Sequence, residues 1–183
     1  MRDDSLADFG LLIAFLLPGL TVLLGAAPLT NLPHEWLFGS GTAAPTIGGF
    51  LYGTVASVLA GLTASTIRWV VIDTLHHHTG LPPPRWNFAR LVARSGAFEL
   101  LIQAHYRYYQ FYANMVVALT FVLAARKSAA PASPDGVDAA MVALIGLFFA
   151  GSRDTLRKYY GRVEQLLGNR PRGGTARRPP AKA

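Results

Sequence analysis

The sequence predicts an all-α integral membrane protein, a four-helix bundle with helical extensions on its cytoplasmic side. Three observations lead there. Two runs of 21 residues, Phe9 to Leu29 and Ile47 to Ile67, carry no charge, and a bilayer core takes about 20 apolar residues of helix. Charged residues make up 15% of the chain, where soluble domains carry about 25%. Lys and Arg also gather at alternate connections, the pattern that the positive-inside rule gives for an even number of spans.

The first span covers residues 9–29, with Pro18-Gly19 at its centre predicting a kink. The second covers 47–67, and helix is expected to run on from Arg68 to Thr79, where Gly80 offers a C-cap and Pro82-Pro83-Pro84 prevents continuation. That extension projects about 18 Å past the bilayer at 1.5 Å per residue. A third helix starts near Asn87, a suitable N-cap, and reaches Arg126, with only 108–125 inside the membrane. Gly96 is its weakest point. Residues 68–107 thus form a cytoplasmic helical hairpin, and Tyr106, Tyr108, Tyr109 and Tyr112 suit an aromatic belt at headgroup level.

The fourth span covers 137–152, with Asp138 favouring the helix N-terminus. It continues as an amphipathic helix over 153–167, placing Arg153, Arg157, Lys158 and Arg162 beside Leu156, Tyr160, Val163 and Leu167. Gly168 caps it. Residues 169–183, rich in Arg, Pro, Gly and Ala, read as a disordered basic tail.

Orientation follows from the basic residues. Of 17 Lys and Arg, only Arg126 and Lys127 fall on the side opposite the rest. This places both termini and the central hairpin in the cytoplasm of a multi-pass cell or inner membrane protein. The net charge of +7 therefore reflects orientation and anionic-lipid contact rather than nucleic acid. The absence of cysteine excludes disulfides, thiolate metal sites and cysteine nucleophiles. Phosphate-binding glycine loops, GxSxG elbows and kinase signatures are absent too.

Three constellations could carry function. Gly49, Gly53, Ser57, Gly61 and Ser65 recur at four-residue spacing in the second span, a row of small side chains that lets another backbone approach. The partner is either a neighbouring helix of the same bundle or a second subunit, the latter making the protein a homo-oligomer. The row continues to Trp69, Asp73 and His77. Asp73, His76 and His77 could form a metal half-site completed by His105 or Glu99, or a base oriented by a carboxylate; the competing expectation is a His run that suits a helix C-terminus. On the third helix Glu99, Gln103, Arg107, Gln110 and Asn114 form one polar stripe whose inner end lies within the bilayer. Polar groups at that depth need a partner or water.

The functional expectation is non-enzymatic: an oligomeric membrane component that senses, anchors or signals to a cytoplasmic protein partner. A pore or transporter lined by the stripe is the alternative, and a membrane-embedded metal-dependent hydrolase built on Asp73, His76, His77 and His105 the third. No cofactor is expected unless that metal site forms.

Overall fold

A computed structural model describes residues 3–30, 33–35, 46–84, 88–130 and 133–167. Every regular element among them is helical. Helix α1 is Asp3–Ala26. Helix α2 runs Ile47–His78, with a π-helical turn, Trp69–Asp73, between α-helical Ile47–Arg68 and Thr74–His78. Short α3 (Phe88–Leu91), the 3-10 turn Val92–Arg94 and α4 (Ser95–Leu101) lead through a second π turn, Ile102–Tyr106, into α5 (Arg107–Ala129). Helix α6 is Gly136–Leu167. The expected caps at Asn87 and Gly168, the tail 169–183, and most of the connection before α2 lie outside the described residues.

Helices α2, α5 and α6 are long and apolar enough to cross a membrane, and α1 adds the shorter apolar stretch Ile13–Ala26. Their outer faces are apolar as well as their inner ones. Phe50, Leu51, Val55, Leu59 and Leu62 of α2, and Val142, Leu144 and Leu147 of α6, are exposed. Water-soluble monomers rarely present so continuous an apolar surface.

Inside, α1 lies between α2 and α5, and α5 lies between α1 and α6. Glycine makes the first contact possible. A Cβ on Gly61 would stand 2.0 Å from the Phe15 carbonyl oxygen, and one on Gly19 would stand 1.7 Å from that of Ser57. The two backbones therefore touch, as small-residue helix interfaces allow.

Pro18 adjoins this contact, fully buried within α1. Having no N–H, it cannot serve the carbonyl of Ala14, its i−4 partner in an α-helix. Asn114 of α5 fills that place: its Nδ2 donates to the Ala14 oxygen at 2.9 Å.

The helix ends follow their sequence signals. Thr46 caps α2 by accepting from the Gly49 N–H at 3.0 Å. At the other end Gly80 adopts φ +93 and the Leu81 N–H returns to the His76 carbonyl at 3.1 Å, a glycine C-cap with Leu81 buried beneath it. Before α6, the Asp135 carboxylate accepts from the Val137 and Asp138 N–H groups, and the Asp138 carboxylate accepts from the Asp135 N–H, all at 3.0 Å. This is a reciprocal cap. Arg126 binds both Asp135 and Asp138, and Lys127 binds Asp138, so the two basic residues at this end are neutralised on the spot.

The tyrosines depart from a simple belt. Tyr109 is buried in the core, Tyr106 packs on Tyr159 with ring centroids 5.2 Å apart, and Tyr112 packs on Phe148 at 5.9 Å. Tyr108 alone of the four is exposed. Four tyrosines within seven helical positions cannot share one face at 3.6 residues per turn.

Candidate functional site

The site is a buried polar cluster where α2, α5 and α6 leave their apolar stretches, and two π turns shape it. A residue and its i+5 neighbour lie on different faces of an α-helix, but the wider turn Trp69–Asp73 brings Asp73 back over Arg68. Arg68 Nη1 donates to Asp73 Oδ1 at 3.2 Å. The Tyr109 hydroxyl donates to the same oxygen, and the Arg68 guanidinium carbon lies 5.3 Å from the centre of the Tyr109 ring, within cation–π range. Arg68 is 4% exposed and its Nε has no hydrogen-bond partner. A buried arginine is tolerable only with such compensation.

One turn on, His76 is fully buried. Its Nε2 meets Ser152 Oγ of α6 at 3.0 Å, and that hydroxyl donates to the Phe149 carbonyl at 2.8 Å. Ser152 has one proton, so Nε2 is the donor in this pair. Nδ1 then faces the core without a partner. The ring packs on Phe149, centroids 4.9 Å apart. An imidazole that donates to a serine is not poised to deprotonate it.

Two further ties join the end of α2 to α6. His77 Nε2 lies 3.1 Å from the Tyr160 hydroxyl with the rings stacked. Arg153 reaches across to the Thr79 hydroxyl at 2.5 Å and the Thr79 carbonyl at 2.6 Å. Arg94 adds a third connection, donating to the Leu166 carbonyl at 2.6 Å.

The sequence-derived candidates fall as follows. Asp73, His76 and His77 lie close together but are engaged separately, with Arg68 and Tyr109, with Ser152, and with Tyr160. His105 sits in the second π turn with a buried, unpartnered Nδ1. Burial first, then the positive charges of Arg162 and Lys158, push its imidazole below the ordinary histidine value. Among the described residues no three His, Asp or Glu side chains converge as a metal site would need.

In the small-residue row, Gly53, Ser57 and Gly61 are buried, and Ser57 and Gly61 meet α1 of the same chain. Gly49 and Ser65 are half-buried and Trp69 is exposed. The buried face steps by three from Gly61 to Ala64, offsetting the drift of about 40° that each four-residue step brings, and then passes through Arg68 and, across the π turn Trp69–Asp73, Ile72 and His76.

Of the polar stripe, Glu99 is exposed, Arg107 and Gln110 are half-buried and Asn114 is fully buried; the Gln103 side chain lies outside the described residues. Arg68, Tyr109, Ser152 and Arg153 were not singled out as a site from the sequence. Only the π turn brings the first of them to Asp73, and the others arrive from helices distant in sequence. Compared with family models, curated proteins and solved structures, the chain matches none.

Proposed function

We propose that this chain is a multi-pass membrane protein with four spans and cytoplasmic termini, which anchors a cytoplasmic protein partner and transmits membrane state to it. The observation that carries this is the bracing of the helix ends. Helices α2 and α6 each extend 32 residues, about 48 Å at 1.5 Å per residue, against a hydrocarbon thickness of about 30 Å. From the end of the fourth span outward, α2 and α6 are joined by His76–Ser152, Arg153–Thr79 and His77–Tyr160. A displacement of either span therefore reaches the cytoplasmic ends of α2 and α6 through hydrogen-bonded contacts rather than a flexible loop.

Orientation is supported by the pairing of Arg126 and Lys127 with Asp135 and Asp138, which leaves that end without unbalanced positive charge. Glu99, exposed on α4, is the residue we assign to partner contact. A second copy draws no support from the small-residue row, whose buried members are occupied by α1. A pore loses its innermost polar residue, since Asn114 is buried and hydrogen-bonded to backbone.

The test is site-specific photo-crosslinking in cells, with the reactive residue at 99 on α4 or at 142 on the apolar face of α6. A discrete protein adduct is expected from position 99 alone, and Arg153→Gln should weaken it by loosening the brace. No adduct at 99, or equal adducts at both positions, would defeat the proposal.

A further inference from the structure

The outer face of α2 keeps its character past the point where the charge-free sequence ends. Trp69, Val70, Val71 and Leu75 are exposed, continuing the apolar surface of Phe50, Val55, Leu59 and Leu62. No exposed residue between Ile47 and Leu75 is charged. The two charged side chains of this stretch, Arg68 and Asp73, are turned inward and paired with each other. A helix end surrounded by water shows the reverse, with charges outside and valines inside. Charged groups at membrane depth face the bundle interior and pair with one another, as these two do.

The register between α2 and α6 marks the same level independently. Ser152 ends the uncharged run 139–152 of α6, and its hydroxyl lies 3.0 Å from His76 Nε2. Arg153, the next residue, bonds to Thr79. Apolar character therefore ends on α6 beside His76, about 13 Å beyond Ile67 at 1.5 Å per residue. Five positions back from this contact on each helix, Val71 and Leu147 are both exposed. The apolar face from Ile47 to Leu75 is about 42 Å long, and a bilayer with its headgroup layers is about 40–45 Å thick.

We propose that the face formed by Trp69, Val70, Val71 and Leu75 is covered by membrane lipid, so that the bilayer reaches the level of His76 and encloses the Arg68–Asp73 pair. Residues 68–75 then belong to the second span rather than to the cytoplasmic hairpin. Trp69 falls near the inner edge of the headgroup layer, where indoles gather. The Arg68 backbone lies about 12 Å below His76, and its guanidinium reaches back toward the surface to meet Asp73, as long basic side chains do in membranes. This rests on the membrane placement proposed above and not on the choice of cytoplasmic side.

The full chain, which has no native cysteine, would be reconstituted in phosphatidylcholine liposomes with a nitroxide on Leu59→Cys, Val71→Cys, Leu75→Cys or Pro83→Cys. Paramagnetic resonance then reads collisions with oxygen, which concentrates in lipid, and with a water-soluble nickel chelate. Oxygen collisions should exceed nickel collisions at 59 and 71, and the order should reverse at 83. The label at 71 should also read about 6 Å deeper than the label at 75. Val70→Cys repeats the measurement on the adjoining strip of exposed helix, should Val71→Cys fail to fold. Nickel exceeding oxygen at 71, with 59 still in lipid, would overturn the proposal by ending the span at Arg68 and leaving the face to water or a cytoplasmic protein. Exclusion of both reagents at 71 would overturn it in favour of a second copy. Nickel exceeding oxygen at 59 as well would overturn the membrane placement itself.

Discussion

If Asn114 replaces the hydrogen bond that Pro18 denies to Ala14, the two residues must be energetically coupled. Asn114→Leu removes the Nδ2 donor at 2.9 Å and leaves the Ala14 carbonyl without its helical donor, since Pro18 has none. Leaving a buried acceptor unsatisfied costs about 1–3 kcal/mol. Interhelical hydrogen bonds in membranes average about 0.6 kcal/mol because the unfolded reference finds other partners; here the proline blocks the nearest of these. We therefore expect a loss of about 1.5 kcal/mol, just over tenfold in the folding equilibrium. In a Pro18→Ala background the restored N–H can serve Ala14, and the same Asn114→Leu substitution should cost less than about 0.5 kcal/mol. The Asn114 Oδ1, buried without a partner in the native chain, leaves with the side chain and adds nothing to the loss. A double-mutant cycle by steric trapping or SDS unfolding in mixed micelles measures the coupling. Additive losses, with Asn114→Leu equally costly in both backgrounds, would refute the bond's assigned role.

Gly61→Leu should separate α1 from α2 and abolish the folded species, because even a methyl group would meet the Phe15 carbonyl oxygen at 2.0 Å. Gly48→Leu, with only the Thr46 hydroxyl near at 3.8 Å, should fold normally, and chromatographic monodispersity compares the two. The Asp135 carboxyl is held well below the usual range, first by Arg126 and then by the Asp138 N–H. Its folded pKa being depressed, its stabilisation is complete above about pH 4 and is lost as pH falls toward the folded value. Asp135→Asn, which keeps a capping side chain, should therefore show a shallower loss of melting temperature on acidification. Arg153→Gln should speed amide exchange at Thr79 and Leu81, whose N–H groups close the end of α2 at 3.0 and 3.1 Å, while leaving Gly49 unchanged at the far end.

Much of this fold was legible because its signals are local. The Gly80 cap, the continuation of α2 past Arg68 and the extension of α6 beyond Ser152 follow from runs of apolar residues and their end signals, whereas the single helix expected from near Asn87 to Arg126 is divided by the 3-10 turn Val92–Arg94 and the π turn Ile102–Tyr106. Asp138 at a helix start was equally plain, but its reciprocal bond to Asp135 needs the pairing in space.

The candidate site was less legible. Four-residue spacing makes Asp73 read as a continuation of the small-residue row, whereas the π turn at Trp69–Asp73 brings it over Arg68. Five-residue hydrogen bonding has no distinctive spacing in an apolar sequence, so the Arg68–Asp73 pair could not be read there. Asn114 was recognised as an unusual intramembrane polar residue, and Pro18 as a break in α1. That one completes the other depends on two helices a hundred residues apart meeting at one level.

The most direct measurement of the proposed architecture is cysteine accessibility in intact cells, on a chain that has no native cysteine. Single substitutions Ser40→Cys, Pro83→Cys and Ala183→Cys would be treated with a membrane-impermeant maleimide before and after permeabilisation. Four spans with cytoplasmic termini predict labelling of position 40 from outside, and of positions 83 and 183 only after permeabilisation. External labelling at 83 or 183, or protection at 40 until the membrane is opened, would contradict it.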